Sequence, residues 1–458
     1  MNIIICGAGK VGFSISKQLS VQGHSITVVD QSSELIQKLN ETQDVKGIVG
    51  RATFPSVLEK AGAEDTDMII AVTKNDETNM VICQVAHSIF NITKKIARIR
   101  TQEFLGTKWL KLYGESNLPI DVIISPELEV AKSLQRKLEA PGALDSVPFA
   151  DGKVKVLEIN IGEICPIANK PLSKLTEKFP DLRANILGVI RGDKFVILKK
   201  KDKMLVNDKA FVVVSASQMN TTLSAFGHEE KMAKKILIIG GGNIGFNLAK
   251  NLEADSEGTR VKIIEKDKGR AELIANELNN TIVINGDGLD EDVLKEANIE
   301  EAETILALTN DDEDNIMLSV LAEKNNPNKR TIALVTKQNY ALLQNSLKID
   351  DLVDPRLTTV STILKHVHKG TIETVYTLLD GEYEFIEAEV LETSELISKS
   401  IKDSGLPEEI RIGAIVRDKN IIIPKSDFKF EKKDLVVFLS KREHLPKVES
   451  LFRISSLI

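Results

Sequence analysis

Residues 3–19, IIICGAGKVGFSISKQL, and residues 236–252, ILIIGGGNIGFNLAKNL, align without a gap. Gly7, Gly9 and Gly12 fall on Gly240, Gly242 and Gly245, an offset of 233 residues. In both copies an Ile-rich run of strand length enters a G-x-G-x-x-G turn that opens a helical pattern. A carboxylate closes the strand that follows. Asp30 comes 18 residues after Gly12, and Glu265 comes 20 after Gly245, close to the separation of about 20 in a dinucleotide-binding βαβ unit. One glycine fingerprint is weak evidence; the same fingerprint twice, between strand and helix each time, predicts a duplicated dinucleotide-type domain.

Each position has a chemical reason. Gly7 permits the tight turn, Gly9 lets the backbone approach a pyrophosphate, and Gly12 lets the helix close on its strand. Free amides at the helix N-terminus then face the phosphates. Asp30 and Glu265 would accept hydrogen bonds from ribose hydroxyls and repel a 2′-phosphate, which favours NAD or an adenine nucleotide over NADP. The alternative is that these residues serve only as turns and caps. Lys10 either reaches a phosphate as a mobile point charge or stays solvated in the first helical turn. The fourth strand ends in Ala71-Val72-Thr73-Lys74, and its counterpart in Ala307-Leu308-Thr309-Asn310, at the carboxyl edge where open α/β sheets hold ligands. Thr73 is the stronger candidate there, Lys74 the more solvated. Arg98, inside the apolar run KIARIR, needs a partner, either a ligand phosphate or an interface carboxylate.

The duplication continues. VLEKAGAEDTDMIIAVTKNDETNM (57–80) matches VLKEANIEEAETILALTNDDEDNI (293–316) at an offset of 236. The leading part of each half alternates short Val/Ile-rich runs with helical stretches, which predicts a parallel sheet covered on both faces. In the first half the helices are expected at 10–22, 33–40, 55–61, 76–90 and 102–112. A sixth strand leads into Ser125-Pro126-Glu127, suited to an N-cap, a proline at the first helical position and an acidic first turn. Asp354-Pro355 repeats the device, with the helix expected to stop at Gly370. These two helices are expected to carry exposed apolar residues, Val130 and Leu134 among them, that pack on a neighbouring domain. Residues 153–215 and 383–440 then read as strand, short helix, hairpin and strand. The fold class is therefore α/β, with two Rossmann-like doubly wound parallel sheets, each followed by a small α+β domain. The expected boundaries are 1–124, 125–143 (helix and linker), 144–228, 233–353, 354–372 (helix and linker) and 373–454, with EEKMAKK (229–235) joining the halves.

Composition removes several function classes. The 458 residues carry 67 acidic against 60 basic side chains, a net charge of −7, so the basic footprint of a nucleic-acid binder is absent. No apolar run approaches the roughly 18 to 20 residues of a bilayer span, and MNIIICG does not read as a signal peptide. Cys6, Cys83 and Cys165 form no Cys-x-x-Cys pair and are expected as small buried hydrophobes. His366 and His368 fall on opposite sides of a helix, about 200° apart, so no metal pair is expected. No Walker lysine motif, nucleophile elbow or acid–base arrangement is visible, so no catalytic residue is expected.

GAGKVG, VVD, EDTDMIIAVTKNDETNM, KIARIR, PIDVIISPE and EAPGAL in the first half, with GGGNIG, NGDGLDEDVL and ALTNDDEDNIM in the second, closely resemble the TrkA family. These are the cytosolic regulatory subunits of Trk-type bacterial and archaeal potassium uptake systems, and the likeness covers essentially the whole chain. The resemblance implies two RCK (regulator of conductance of potassium) N-domains, each followed by an RCK C-domain. It implies binding of NAD(H), with ATP or ADP as further ligands, and assembly into a homo-oligomeric ring, expected as a tetramer. The ring would be cytoplasmic, peripheral on the inner face of the plasma membrane. There it would control a membrane potassium-translocating subunit of the TrkH/TrkG type. By position, the first nucleotide site would comprise Gly7, Ala8, Gly9, Lys10, Val11, Asp30, Thr73, Lys74 and Arg98. The second would comprise Gly240, Gly241, Gly242, Asn243, Ile244, Glu265, Thr309 and Asn310. Arg51 stands where many RCK domains have an acidic residue, which the second half keeps as Asp287; Arg98 aligns with Leu334 and Lys10 with Asn243. These differences predict unequal sites, the first better equipped for polyphosphate. The rival readings are an NAD-dependent oxidoreductase and a nucleotide sensor for a different ion transporter.

Overall fold

The computed structural model describes residues 1–458 apart from 115, 193, 256–257, 326–328, 345, 368–373, 379–381, 408, 419 and 453–458. The first Ile-rich run is β1 (Asn2–Cys6), buried from Ile3 to Cys6 without alternation, as a strand covered on both faces must be. It is followed by α1 (Lys10–Val21), β2 (Ser25–Asp30), α2 (Ser33–Thr42), β3 (Lys46–Val49), α3 (Pro55–Lys60), β4 (Met68–Ala71), α4 (Asp76–Ser88), β5 (Lys94–Arg98), β6 (Val122–Ile124) and α5 (Pro126–Glu139). The strands pair in parallel in the order β3-β2-β1-β4-β5-β6. This is the doubly wound order, and its direction reverses between β1 and β4, where such folds hold ligands.

Next come β7 (Asp145–Phe149), β8 (Val154–Asn160), α6 (Ser173–Lys178), β9 (Ala184–Arg191), β10 (Lys194–Val196), β11 (Lys209–Ser215) and α7 (Met219–Ala225). Their strands form an antiparallel sheet, β10-β9-β11-β8-β7. The second half repeats the first pattern with β12 (Lys235–Ile239), α8 (Asn243–Asp255), β13 (Arg260–Glu265), α9 (Lys268–Glu277), β14 (Ile282–Asn285), α10 (Glu291–Glu296), β15 (Thr304–Ala307), α11 (Asp312–Asn325), β16 (Arg330–Leu334), β17 (Asp351–Val353) and α12 (Pro355–Lys365). Its parallel order is β14-β13-β12-β15-β16-β17. The last group is β18 (Thr374–Leu378), β19 (Tyr383–Glu389), β20 (Arg411–Arg417), β21 (Asn420–Ile422), β22 (Leu435–Lys441) and α13 (Leu445–Phe452), ordered β18-β19-β22-β20-β21.

By contacts the chain forms two compact units. One is Met1–Gln135 with Ala233–His366, which pairs the two Rossmann-like domains; the other is Arg136–Met232 with Val367–Ile458, which pairs the two antiparallel modules. Inside the first unit α12, from the second half, packs on α1 and reaches β6 of the first half. Inside the second unit the two antiparallel sheets share one core, in which Phe195 packs at a tilt on Tyr383 at 4.6 Å and Phe211 on Phe385 at 5.9 Å between ring centroids.

Several expectations are corrected. The helix expected at 102–112 is two 3-10 turns, Gln102–Leu105 and Thr107–Leu112, because Gly106 takes an extended conformation between them. The edge strands β7 and β18 were not anticipated; Pro148 in β7 lowers its strand signal yet is tolerated at a sheet edge. The short helix expected in LISKSIKD is reduced to one 3-10 turn, Ile401–Asp403, since Ser398 adopts a φ of 64°. Ser125 does not cap α5: its buried hydroxyl has no hydrogen-bond partner, although Pro126 does open the helix. In α12 the cap forms as expected, the Asp354 side chain accepting from the Arg356 amide, but the helix ends at Lys365. Gly370 and His368 lie outside the described residues. Val130 and Leu134 are fully buried within the chain rather than exposed.

Cys6, Cys83 and Cys165 are free and buried, and burial pushes the Cys83 thiol up to about 12. Among the described residues, no helix is long and apolar enough to cross a membrane and no cluster of metal-ligating side chains is present.

Burial of Glu384 on β19 pushes its carboxyl up to about 7, with Arg442 opposing the shift. The folded state therefore holds a proton that the unfolded chain releases near pH 4.5. Stability from this group is full below that value and declines until pH 7, by about 3 kcal/mol. Thermal melts between pH 5 and 8 should show the wild-type midpoint falling by several degrees more than that of Glu384→Gln. Parallel pH profiles for the two proteins would contradict this.

Candidate functional site

The first glycine loop is built by close approaches that leave no room for side chains. Gly7 takes a φ of 114° and donates its amide to the Val29 carbonyl at 2.8 Å. A Cβ on Gly12 would lie 1.8 Å from the Gly7 carbonyl oxygen, so α1 can rest on the loop only with glycine there. Gly9 differs: nothing lies within 4 Å of where its Cβ would be. Gly9 is the N-cap of α1, has no side-chain cap, and the first turn holds no acidic residue. The helix therefore opens its unsatisfied amides onto free space, an arrangement suited to an anion.

Asp30, at the end of β2, organises this loop. Its Oδ2 accepts the Ala8 amide at 2.7 Å and its Oδ1 accepts the Ser32 amide at 2.9 Å. A carboxylate offers about four acceptor positions, so two remain for further donors. The cleft beside it encloses about 380 Å³ and brings together Gly7, Gly9, Asp30, Thr73 and Lys74, with Arg51 on its wall. Ala8 and Lys10 instead line a neighbouring cleft, and Val11, in the first turn of α1, is buried. Arg98 is not on the cleft wall. Its Nη2 donates to the Thr73 carbonyl at 2.6 Å and its Nε is buried without a partner, so it supports the strand end from behind. Burial, with the nearby Arg100, pulls its pKa below the usual arginine value.

The second loop repeats the plan with one change. Gly240 has a φ of 111°, and a Cβ on Gly245 would lie 2.1 Å from the Gly240 oxygen. Glu265 accepts the Gly241 amide at 2.7 Å and the Asp267 amide at 2.8 Å, and Gly242, like Gly9, faces open space. Arg270 then folds over the loop. Its Nε donates to the Gly241 carbonyl at 2.9 Å and its Nη2 to Asn243 Oδ1 at 3.2 Å, and the guanidinium lies 5.5 Å from the Phe246 ring centre. A cation thus stands at the second loop from a position where the first half has Leu35. The expectation that this loop is the less basic one, drawn from Leu334 and Asn243, overlooked it. Ile244 lies in the first turn of α8, Thr309 is half-buried at the strand end and Asn310 is exposed beside it. Lys266 donates to Asp287 at 2.7 Å and holds that carboxyl below its usual range.

Two further pairs of residues fix the strand ends. Asn79 Oδ1 accepts both the amide and the hydroxyl of Thr73, and its Nδ2 donates to the Arg98 carbonyl at 2.8 Å. Asn315 does the same for Thr309 and Leu334. Asp76 accepts the amides of Arg100 and Thr101, as Asp312 accepts those of Thr336 and Lys337. Their signal was in the repeated stretch itself: acidic and amide residues three and six positions after each threonine, in TKNDETN and TNDDEDN.

Against known proteins, the TrkA-N domain family model matches residues 3–126 and 236–355, and the TrkA-C domain model matches 156–227 and 385–453. The Trk system potassium uptake protein TrkA of Azorhizobium caulinodans is 44% identical over 455 residues, 99% of each chain. That of Vibrio alginolyticus is 36% identical over 457 residues, again 99% of each. TrkA homolog 1 of Methanosarcina mazei is 32% identical over 459 residues, covering 99% of this chain and all of the relative. Among solved structures, the GsuK channel bound to NAD matches 98% of this chain and 78% of its own with a TM-score of 0.60 at 17% identity. The crystal structure of the GsuK RCK domain matches 98% and 94% with a TM-score of 0.58 at 18% identity. At these identities the solved structures establish the fold.

Proposed function

The chain belongs to the TrkA family of Trk system potassium uptake proteins, and from that premise we propose that it is the cytosolic regulatory subunit of such a system. It binds NAD(H), with ATP or ADP as alternatives, and couples that binding to opening of a membrane potassium-translocating subunit of the TrkH/TrkG type. It regulates and does not catalyse. The working form is a homo-oligomeric ring, a tetramer, held at the inner face of the plasma membrane by its partner. In this reading segments 1–124 and 233–353 bind nucleotide, 125–143 and 354–372 carry the crossover helices, and 144–228 and 373–454 are the C-type modules.

The observation that carries the reading is the first glycine loop: an uncapped helix N-terminus at Gly9, beside a carboxylate, Asp30, with acceptor capacity to spare, on the wall of an open cleft. Thr73 and Lys74 line the same cleft. Such a site takes a phosphate at the helix and a ribose at the carboxylate. At the second loop Gly240 to Ile244, Glu265, Thr309 and Asn310 would play the same parts, with Arg270 supplying the charge. Control then follows from linkage: a nucleotide that prefers one arrangement of the ring shifts the population toward it. A coupling of about 1 to 3 kcal/mol changes a gating equilibrium roughly 5- to 150-fold.

The test is rubidium uptake at limiting external potassium in cells lacking this gene and other potassium systems. Uptake should be lost on deletion, restored by the wild-type chain and altered by Asp30→Ala expressed at the same level. Uptake that is indifferent to the deletion would overturn the assignment.

A further inference from the structure

Within the first unit, a second and larger cleft of about 640 Å³ opens between the two Rossmann-like domains. One wall comes from the first half, through Lys10 and Phe13 of α1 and Lys38 of α2; the other comes from the second half, through Lys337, Tyr340 and Arg356. Its size is that of a small-molecule site, about 300 to 1,000 Å³. Its charge is opposite to that of the chain. Four cations line it against one carboxylate, Asp354, in a protein whose net charge is −7. Both oxygens of Asp354 are already engaged by Arg356, and Lys337 is shared with Glu313. On the first wall neither Lys10 nor Lys38 has a carboxylate partner among the described residues; Lys38 lies 5.9 Å from the Phe13 ring centre. Apolar surface from Phe13, Leu35 and Leu357 lowers the local dielectric, and a cleft with one sign of charge and such walls concentrates counter-ions.

We propose that this cleft is a second anion site, separate from the glycine-loop cleft, for a small anion carrying two or more phosphate groups. Lysines at the ends of flexible stems suit phosphate as mobile point charges. Because the cations come from both halves, the bound anion ties Lys10 and Lys38 to Lys337 and Arg356 and favours the arrangement in which the two domains are held together. The inference stands on the charge and geometry of this cleft and does not require nucleotide at Gly9.

Inorganic triphosphate is the probe, titrated into the full chain by calorimetry at low salt, with and without saturating NADH. The variants are Lys38→Gln, Lys337→Gln and the double substitution, none of which touches the glycine loops. The expected result is saturable binding of one triphosphate per chain, weakened roughly tenfold by each substitution and persisting in the presence of NADH. Equal affinity in the wild type and the double variant, absence of saturable binding, or displacement of triphosphate by NADH would each overturn the proposal.

Discussion

Gly12→Ala is expected to dismantle the first glycine loop, whereas Gly9→Ala, three residues earlier, leaves the fold intact. The difference is one of space. An alanine Cβ at position 12 would sit 1.8 Å from the Gly7 carbonyl oxygen, about half the distance of an ordinary contact. Neither partner can yield. Gly7 is fixed by the hydrogen bond its amide donates to the Val29 carbonyl and lies against the Val72 backbone, and α1 is anchored by Ile15 and Leu19, both fully buried. Overpacking against backbone of this kind costs at least about 3 kcal/mol. Gly9 has a φ of −65° and open space around it, so alanine fits; its methyl group then stands where the proposed nucleotide's pyrophosphate would approach. Melting curves should therefore show a lowered midpoint for Gly12→Ala and a wild-type midpoint for Gly9→Ala, with nucleotide binding weakened in both. A wild-type melting temperature for Gly12→Ala would contradict the close packing of helix on loop.

The parallel sheets were legible because their strands are buried on both faces and so read as unbroken apolar runs, such as Ile3 to Cys6 and Met68 to Ala71. Gly7 and Gly12, with Gly240 and Gly245, were legible because a positive φ or a close backbone approach excludes a side chain there. Less legible were features that depend on tertiary neighbours. Nothing local distinguishes the edge strand at Asp145–Phe149, whose pairing with Val154–Asn160 is antiparallel and whose proline argues against it. Ser125 has the residue type of a cap but not its geometry, and only the packing around α5 decides that. Arg270 is five residues past Glu265, on the far side of a helix start, and its reach to Gly241 is invisible without the fold. Asn79 and Asn315 were within reach of the sequence, since each sits at the same distance from a matched threonine. Their role follows only once buried amides are required to find partners.

The same accounting sets the largest expected effect on binding. Asp30 holds the Ala8 and Ser32 amides and has acceptor positions left over, which in the proposed reading take a ribose. On that proposal Asp30→Ala removes the ligand contact and also frees the loop whose amides would face the phosphate. Two charge-assisted hydrogen bonds of about 1.5 to 3 kcal/mol each correspond to an affinity loss of at least roughly a hundredfold. The measurement is a calorimetric titration of NADH into the full chain carrying Glu265→Ala, so that the first loop alone reports, with and without Asp30→Ala. Saturable binding that collapses when Asp30→Ala is added is the predicted result; an unchanged isotherm in the double variant would contradict the placement of the nucleotide at the first glycine loop.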